Sequence, residues 1–154
     1  MQVNDSAFFE DGTTRGKLRN PEFRYQEIDY SGLRIGKCTP SDIDFMMEFN
    51  NKLFIAGELK YGTAQMQYGQ ETLLTRMADG HKIPFFILLV HHTTPATEAI
   101  DAGNCKVSMY YSNQTHKWIT PNNQTVKELI NDLYVKFVDT EREVKKSIYE
   151  KYCQ

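Results

Sequence analysis

The stretch that most constrains this chain is Ile83-Pro-Phe-Phe-Ile-Leu-Leu-Val90, an unbroken apolar run of eight residues. It has the length of a strand and falls far below the roughly 20 residues a membrane-spanning helix needs. A run of this kind reads as a central strand buried on both faces. Such a strand needs a cover on each side, so the expected class is α/β, with a single mixed central β-sheet flanked by helices. The 154 residues are enough for one domain whose core needs no disulfide.

The rest of the pattern agrees with a layered fold. Ile43 to Phe49 and Leu53 to Lys60 are strand candidates separated by Asn50-Asn51-Lys52, which is turn chemistry. A helix is expected from Thr63 to Asp79, with Met66, Leu73, Leu74 and Met77 as its apolar stripe and Gly80 as its stop. Cys105 to Tyr111 and Lys117 to Thr120 read as a second hairpin. Thr125-x-x-Glu128 is a capping box that opens a last helix, lined by Val126, Leu129, Ile130, Leu133, Phe137 and Val138. Residues 1–20 show no period and are expected to form a loose arm, with a short helix near Ser6 to Glu10. Tyr25, Ile28, Tyr30 and Leu33 point to extended structure between Phe23 and Ile35. The charged tail from Glu141 is expected to prolong the last helix. Residues 21–154 are thus expected to form one domain.

Charge and cysteine usage exclude several classes. Eighteen basic residues face 20 acidic ones, for a net charge of -2, which is not the balance of a protein that coats nucleic acid. Nucleic-acid contact would have to be local or metal-assisted. Lys17, Arg19, Arg24, Arg34 and Lys37 give the N-terminal quarter a basic lean, with Arg34 and Lys37 as phosphate-contact candidates. Cys38, Cys105 and Cys153 are odd in number and form no CxxC, which argues against a disulfide framework or a thiolate zinc site. A polar N-terminus without an apolar leader core fits a soluble, cytoplasmic protein.

Register turns the first hairpin into a site. With a two-residue turn, Ile43 would face Glu58 and each face would mix apolar and charged residues. With a three-residue turn, Ile43, Phe45, Met47, Phe49, Leu53, Ile55, Gly57 and Leu59 gather on one face. The other face then carries Asp42, Asp44, Met46, Glu48, Phe54, Ala56, Glu58 and Lys60. This register sets Asp44 opposite Glu58 and Asp42 opposite Lys60, with opposed Cβ atoms about 4.5 to 5.5 Å apart. Two ionised carboxylates that close repel one another, and a divalent cation with oxygen ligands would offset the repulsion. The bland alternative is a polar outer face with Asp42 and Lys60 as a surface ion pair. Met46, Phe54 and Ala56 argue instead for a covered face. His91-His92, at the end of the central strand, reads as a solvated pair. Core packing is expected for at least two of Tyr110, Tyr111 and Trp118.

Pro40-Ser41-Asp42-Ile43-Asp44, then a hairpin, Glu58-Leu59-Lys60, and a helix carrying Gly69-Gln70 resembles the PD-(D/E)XK nuclease superfamily, including archaeal junction resolvases and phage-type nuclease domains. The likeness covers residues 39–92. Ser41 separates Pro40 from Asp42, so Asp42 or Asp44 could supply the motif's Asp, and register favours Asp44. An acidic residue on a first helix is also common in the family, and Glu10, Glu22 and Glu27 are the available acids.

The resemblance implies a restriction-endonuclease-like core and hydrolysis of DNA phosphodiester bonds in DNA repair, recombination or mobile-element and phage DNA metabolism. Asp44, Glu58 and the Leu59 carbonyl would hold Mg2+ or Mn2+. Lys60 would stabilise developing charge, and Gln70 would bind the water or the nucleic-acid backbone. Homodimers acting on duplex or branched DNA are common among such folds. The rival reading is a non-catalytic nucleic-acid- or protein-binding module on the same fold.

Overall fold

A computed structural model of the chain describes residues 27–140. Those residues fall into two units divided between Pro40 and Ser41. The expected helix near Ser6, the arm limit at residue 20 and the helical tail from Glu141 all lie outside the described residues.

The described part of the first unit, residues 27–40, is exposed. The Asp29 carboxylate accepts the Ser31 N–H at 2.8 Å, and Leu33 N–H donates to the Tyr30 carbonyl. Ser31–Leu33 therefore coil into one 3-10 turn, where extended structure was expected. Aspartate bonding to an amide two residues on is what closes this turn. Ile35 and Cys38 then exchange two backbone bonds around Gly36, whose φ of 60° suits glycine.

The second unit is one five-stranded sheet with a helix on each face. Its strands are β1 (Phe45–Phe49), β2 (Leu53–Tyr61), β3 (Phe85–His92), β4 (Lys106–Ser112) and β5 (Lys117–Ile119). They lie side by side in chain order. All neighbours are antiparallel except β2 and β3, which are parallel and joined through helix α1 (Tyr68–Asp79). Helix α2 (Val126–Phe137) follows β5. This is the α/β class that the apolar run demanded, and β3 is its middle strand.

The hairpin register is the three-residue one, with Phe49 paired to Leu53 and Phe45 to Gly57. Asn50 and Asn51 both take left-handed φ, of 49° and 57°, the conformation asparagine tolerates best after glycine. Gly57 is fitted to its partner. A Cβ there would lie 2.0 Å from the Phe45 ring, so the ring lies where any larger residue would be.

The two sheet faces have separate cores. Leu53, Ile55, Phe86, Leu88 and Val90 pack with Val126, Leu129 and Leu133 of α2, joined by Phe45, Phe49, Leu59, Ile130, Phe137 and Val138. Every apolar residue expected on the last helix is in this cluster, and Thr125 and Glu128 form the expected capping box. The opposite core is smaller: Ala56, Phe85, Ile87 and Tyr111 with Leu74 and Ala78 of α1, plus Phe54, Met66, Met77 and Trp118. Tyr110, Tyr111 and Trp118 are all packed.

Three expectations need correction. Helix α1 starts at Tyr68, not Thr63, because Gly62 turns left-handed and residues up to Gln67 stay extended or turned. Leu73 is 44% exposed, and Ala78 takes its place in the core stripe. β1 starts at Phe45, not Ile43, so strand alternation lapses there and Ile43 packs on the α1 side.

Candidate functional site

Alternation along β2 sends Leu53, Ile55 and Leu59 toward α2, and Phe54, Ala56, Glu58 and Lys60 toward α1. Glu58 is only 3% exposed, a rare position for a carboxylate. Its Oε1 accepts from Lys60 Nζ at 3.2 Å and from Gln70 Nε2 at 2.5 Å. Lys60 Nζ also donates to Gln70 Oε1 at 3.0 Å, which closes a triangle between β2 and the first turn of α1. The other carboxylate oxygen, Glu58 Oε2, is buried with no hydrogen-bond partner among the described residues. Burial pushes the Glu58 carboxyl above its ordinary range and the charge of Asp44 adds to the effect, while Lys60 and Gln70 pull the other way.

Asp44 lies just ahead of β1. The amides of Phe54 and Gly62 donate to Pro84 and His92 on the β3 side, so Leu59, of opposite parity, turns its N–H toward β1. β1 no longer pairs there, since its last partner on β2 is Gly57. Asp44 Oδ2 accepts this otherwise unpaired Leu59 N–H at 2.6 Å. The Asp44 side chain is therefore a strand-end cap and not a ladder residue on the Glu58 face, and among the described residues its Oδ1 has no hydrogen-bond partner. Asp42 is exposed and makes no ion pair with Lys60, whose ammonium is held by Glu58 and Gln70.

Whether these residues fit a hard divalent cation depends on the donor set. Glu58 Oε2 is an orphaned buried anionic oxygen, Asp44 offers a second carboxylate, and the Leu59 carbonyl lies past the β1 ladder. No group of three or more His, Cys, Asp or Glu side chains is arranged for a metal among the described residues. Two carboxylates and a carbonyl are a sparse set of oxygen ligands. Among hard cations such a set would serve Mg2+ best, because that ion keeps several of its own waters.

The other candidates lie elsewhere. Glu27, Arg34 and Lys37 are exposed in the first unit, where Arg34 Nε donates to the Gly36 carbonyl. Glu10 and Glu22 lie outside the described residues. A cavity of about 760 Å³ opens on the opposite face, between β1–β2 and α2, lined by Phe45, Phe49, Leu59, Ile130 and Tyr134, with Asp44 at its edge.

Two residues gained importance only in the fold. Asn113 is 8% exposed; its Oδ1 accepts the Phe85 N–H, and its Nδ2 donates to the Ala78, His81 and Ile83 carbonyls. His91 is not a solvated strand end, because both ring nitrogens are engaged. An asparagine in a turn and a histidine at a strand end carry no periodic signal that would single them out.

No protein-family model matches this chain, and no curated protein or solved structure matches it significantly.

Proposed function

We propose that this chain is a divalent-metal-dependent nuclease that hydrolyses DNA phosphodiester bonds. The observation that carries the reading is the state of Glu58: a carboxylate buried beside a lysine, one oxygen accepting two hydrogen bonds and the other without a partner among the described residues. A fold that buries an ionisable group in this way spends stability on it, which is more often a mark of a working site than of a structural one. The order of hairpin, helix and parallel strand, with Glu58 and Lys60 on the strand before the helix, also supports a restriction-endonuclease-like core of the PD-(D/E)XK kind.

Asp44, Glu58 and the Leu59 carbonyl would hold Mg2+ or Mn2+. Such an ion, when bound, supplies a more acidic water and charge neutralisation at the phosphate. Lys60 places a fixed ammonium where negative charge develops on the phosphate. Gln70 holds both Lys60 and Glu58 and can turn an amide to the attacking water or the DNA backbone.

A panel of linear, single-stranded and branched DNA with Mg2+ tests the reading. Cleavage should need the metal and fall by about a thousandfold in Glu58→Ala and in Lys60→Ala, with both variants folded. Activity surviving both substitutions would end the assignment.

A second reading, a non-catalytic nucleic-acid- or protein-binding module, is favoured by the small number of carboxylates and by the engagement of Asp44 with Leu59. Calorimetry separates the two. Mg2+ uptake that disappears in Asp44→Ala belongs to the nuclease; DNA or protein binding without metal uptake belongs to the module. Gel filtration with and without DNA shows whether a homodimer forms.

A further inference from the structure

We infer that His91 is a positioning residue, which braces the β2–α1 loop and thereby sets Gln70 against Glu58 and Lys60. The inference rests on the nuclease reading only for its kinetic consequence.

His91 pairs with Lys60 across the parallel β2–β3 ladder, and alternation puts both on the α1 face. Its Nε2 lies 2.7 Å from the Ala64 carbonyl, and its Nδ1 lies 2.9 Å from Ser108 Oγ. A carbonyl only accepts, so Nε2 must carry a proton and donate. The Ser108 hydroxyl also lies 3.0 Å from the Leu89 carbonyl. If that hydroxyl donates to Nδ1, the ring is neutral. If it donates to Leu89, Nδ1 is protonated as well and the ring is cationic. Both arrangements keep the Nε2–H bond to Ala64, so the brace holds in either charge state. With both nitrogens engaged, His91 is neither a free base nor a ready metal ligand.

The loop needs such a brace. Thr63, Ala64, Gln65 and Gln67 are exposed, and among the described residues the loop is otherwise tied by the Gly62 amide on His92, the Ala64 amide on Tyr61, the Glu71 amide on Gln67, Gln65 on Thr63, and the packing of Met66. Gln67, at the N-cap of α1, makes no side-chain capping bond. Where α1 begins is therefore decided largely by this loop, and Gln70 sits in the first turn. A displacement of about 1 Å at a site of this kind can cost on the order of a hundredfold in rate.

The test uses the difference in reach between two amides. The Gln amide nitrogen stands as far from the backbone as His Nε2, whereas the Asn amide reaches only as far as Nδ1. In the full-length 15N-labelled protein, His91→Gln should leave the Gln70 side-chain amide resonances in place, and His91→Asn should displace them. On the DNA that the wild type cleaves best, His91→Asn should lower kcat at least about tenfold with KM within about threefold, and His91→Gln should restore it. If His91→Asn does not fold, Ser108→Ala, which frees the ring to tilt, should displace the same resonances in its place. Unmoved Gln70 resonances in the folded Asn variant, or a Gln variant as impaired as the Asn one, would overturn the brace. A wild type that cleaves no DNA would remove the nuclease reading and leave the resonance test to decide the brace alone.

Discussion

The two faces of the sheet are built on different terms. Toward α2 the contacts are apolar almost throughout, from Leu53 and Ile55 to Leu129 and Leu133, and the main polar device is the cap at Thr125. Toward α1 the apolar cluster is smaller, and polar ties do more of the holding: Asn113 on four backbone groups, Tyr111 on Asp79, Trp118 on Glu71, His91 on Ala64 and the Glu58–Lys60–Gln70 triangle. Both faces share β2 and β3, so one strand packs apolar side chains on one side and carries the buried Glu58–Lys60 pair on the other. Apolar burial tolerates small misplacements, while hydrogen bonds in a dry interior fix positions. If the α1 face holds the proposed catalytic groups, it gains from the second kind of contact.

Four substitutions break or sharpen this contrast. The largest effect is expected from Asn113→Ala, which strands buried backbone groups at the end of α1 and the start of β3. It should cost about 3 kcal/mol in urea unfolding. A loss below about 1 kcal/mol would mean that the α1 face is held by its apolar cluster after all. Gly57→Ala, which drives a methyl into the Phe45 ring on the α2 side, should cost about 2 kcal/mol. A neutral outcome would show that the apolar face repacks freely.

Glu58→Gln comes third and runs the other way. The folded pKa of Glu58 lies above its ordinary value, so its contribution to stability is fully present below the unfolded pKa and is lost as pH rises through the folded pKa. The Gln variant should therefore melt higher than the wild type near neutral pH and lose that advantage in acid. Mg2+ should raise the melting temperature of the wild type and not of the variant. Equal melting temperatures across pH would show that Glu58 is not strained by its burial. The smallest effect belongs to Gly69→Ala. A Cβ there meets nothing within 4 Å, so the glycine is not needed for packing on the sheet. The change should stabilise by no more than about 1 kcal/mol. A fall in cleavage without loss of stability would mean that substrate backbone comes close to Gly69.

Much of this was legible in the residues. The apolar run at Ile83 to Val90 announced the central strand, and the actual strand is displaced by only two residues, to Phe85–His92. Pro84 explains the displacement: it has no N–H for the ladder, and its carbonyl accepts the Phe54 amide where the pairing begins. The hairpin register, the α2 stripe and the capping box could be read because each depends on a short period or a fixed local spacing. The resemblance placed Glu58, Lys60 and Gln70 in one site, with Gln70 on the water or the nucleic-acid backbone; the fold instead bonds the three to one another.

What the residues alone determined is therefore the sheet's middle strand, the parity of each side chain along β2, and which face of α2 is apolar. Strand and helix periods are set by local backbone geometry, so a single chain segment contains them. Only the tertiary structure decided that β1 begins at Phe45, turning Asp44 from a residue facing Glu58 into a cap on the Leu59 amide. Only it decided that Asn113 and His91 would be ties and not solvated polar groups. Where a strand ends, and which unpaired amide or carbonyl a distant side chain must satisfy, follows from the demand that buried backbone groups find partners across the whole fold, and no local pattern encodes that demand.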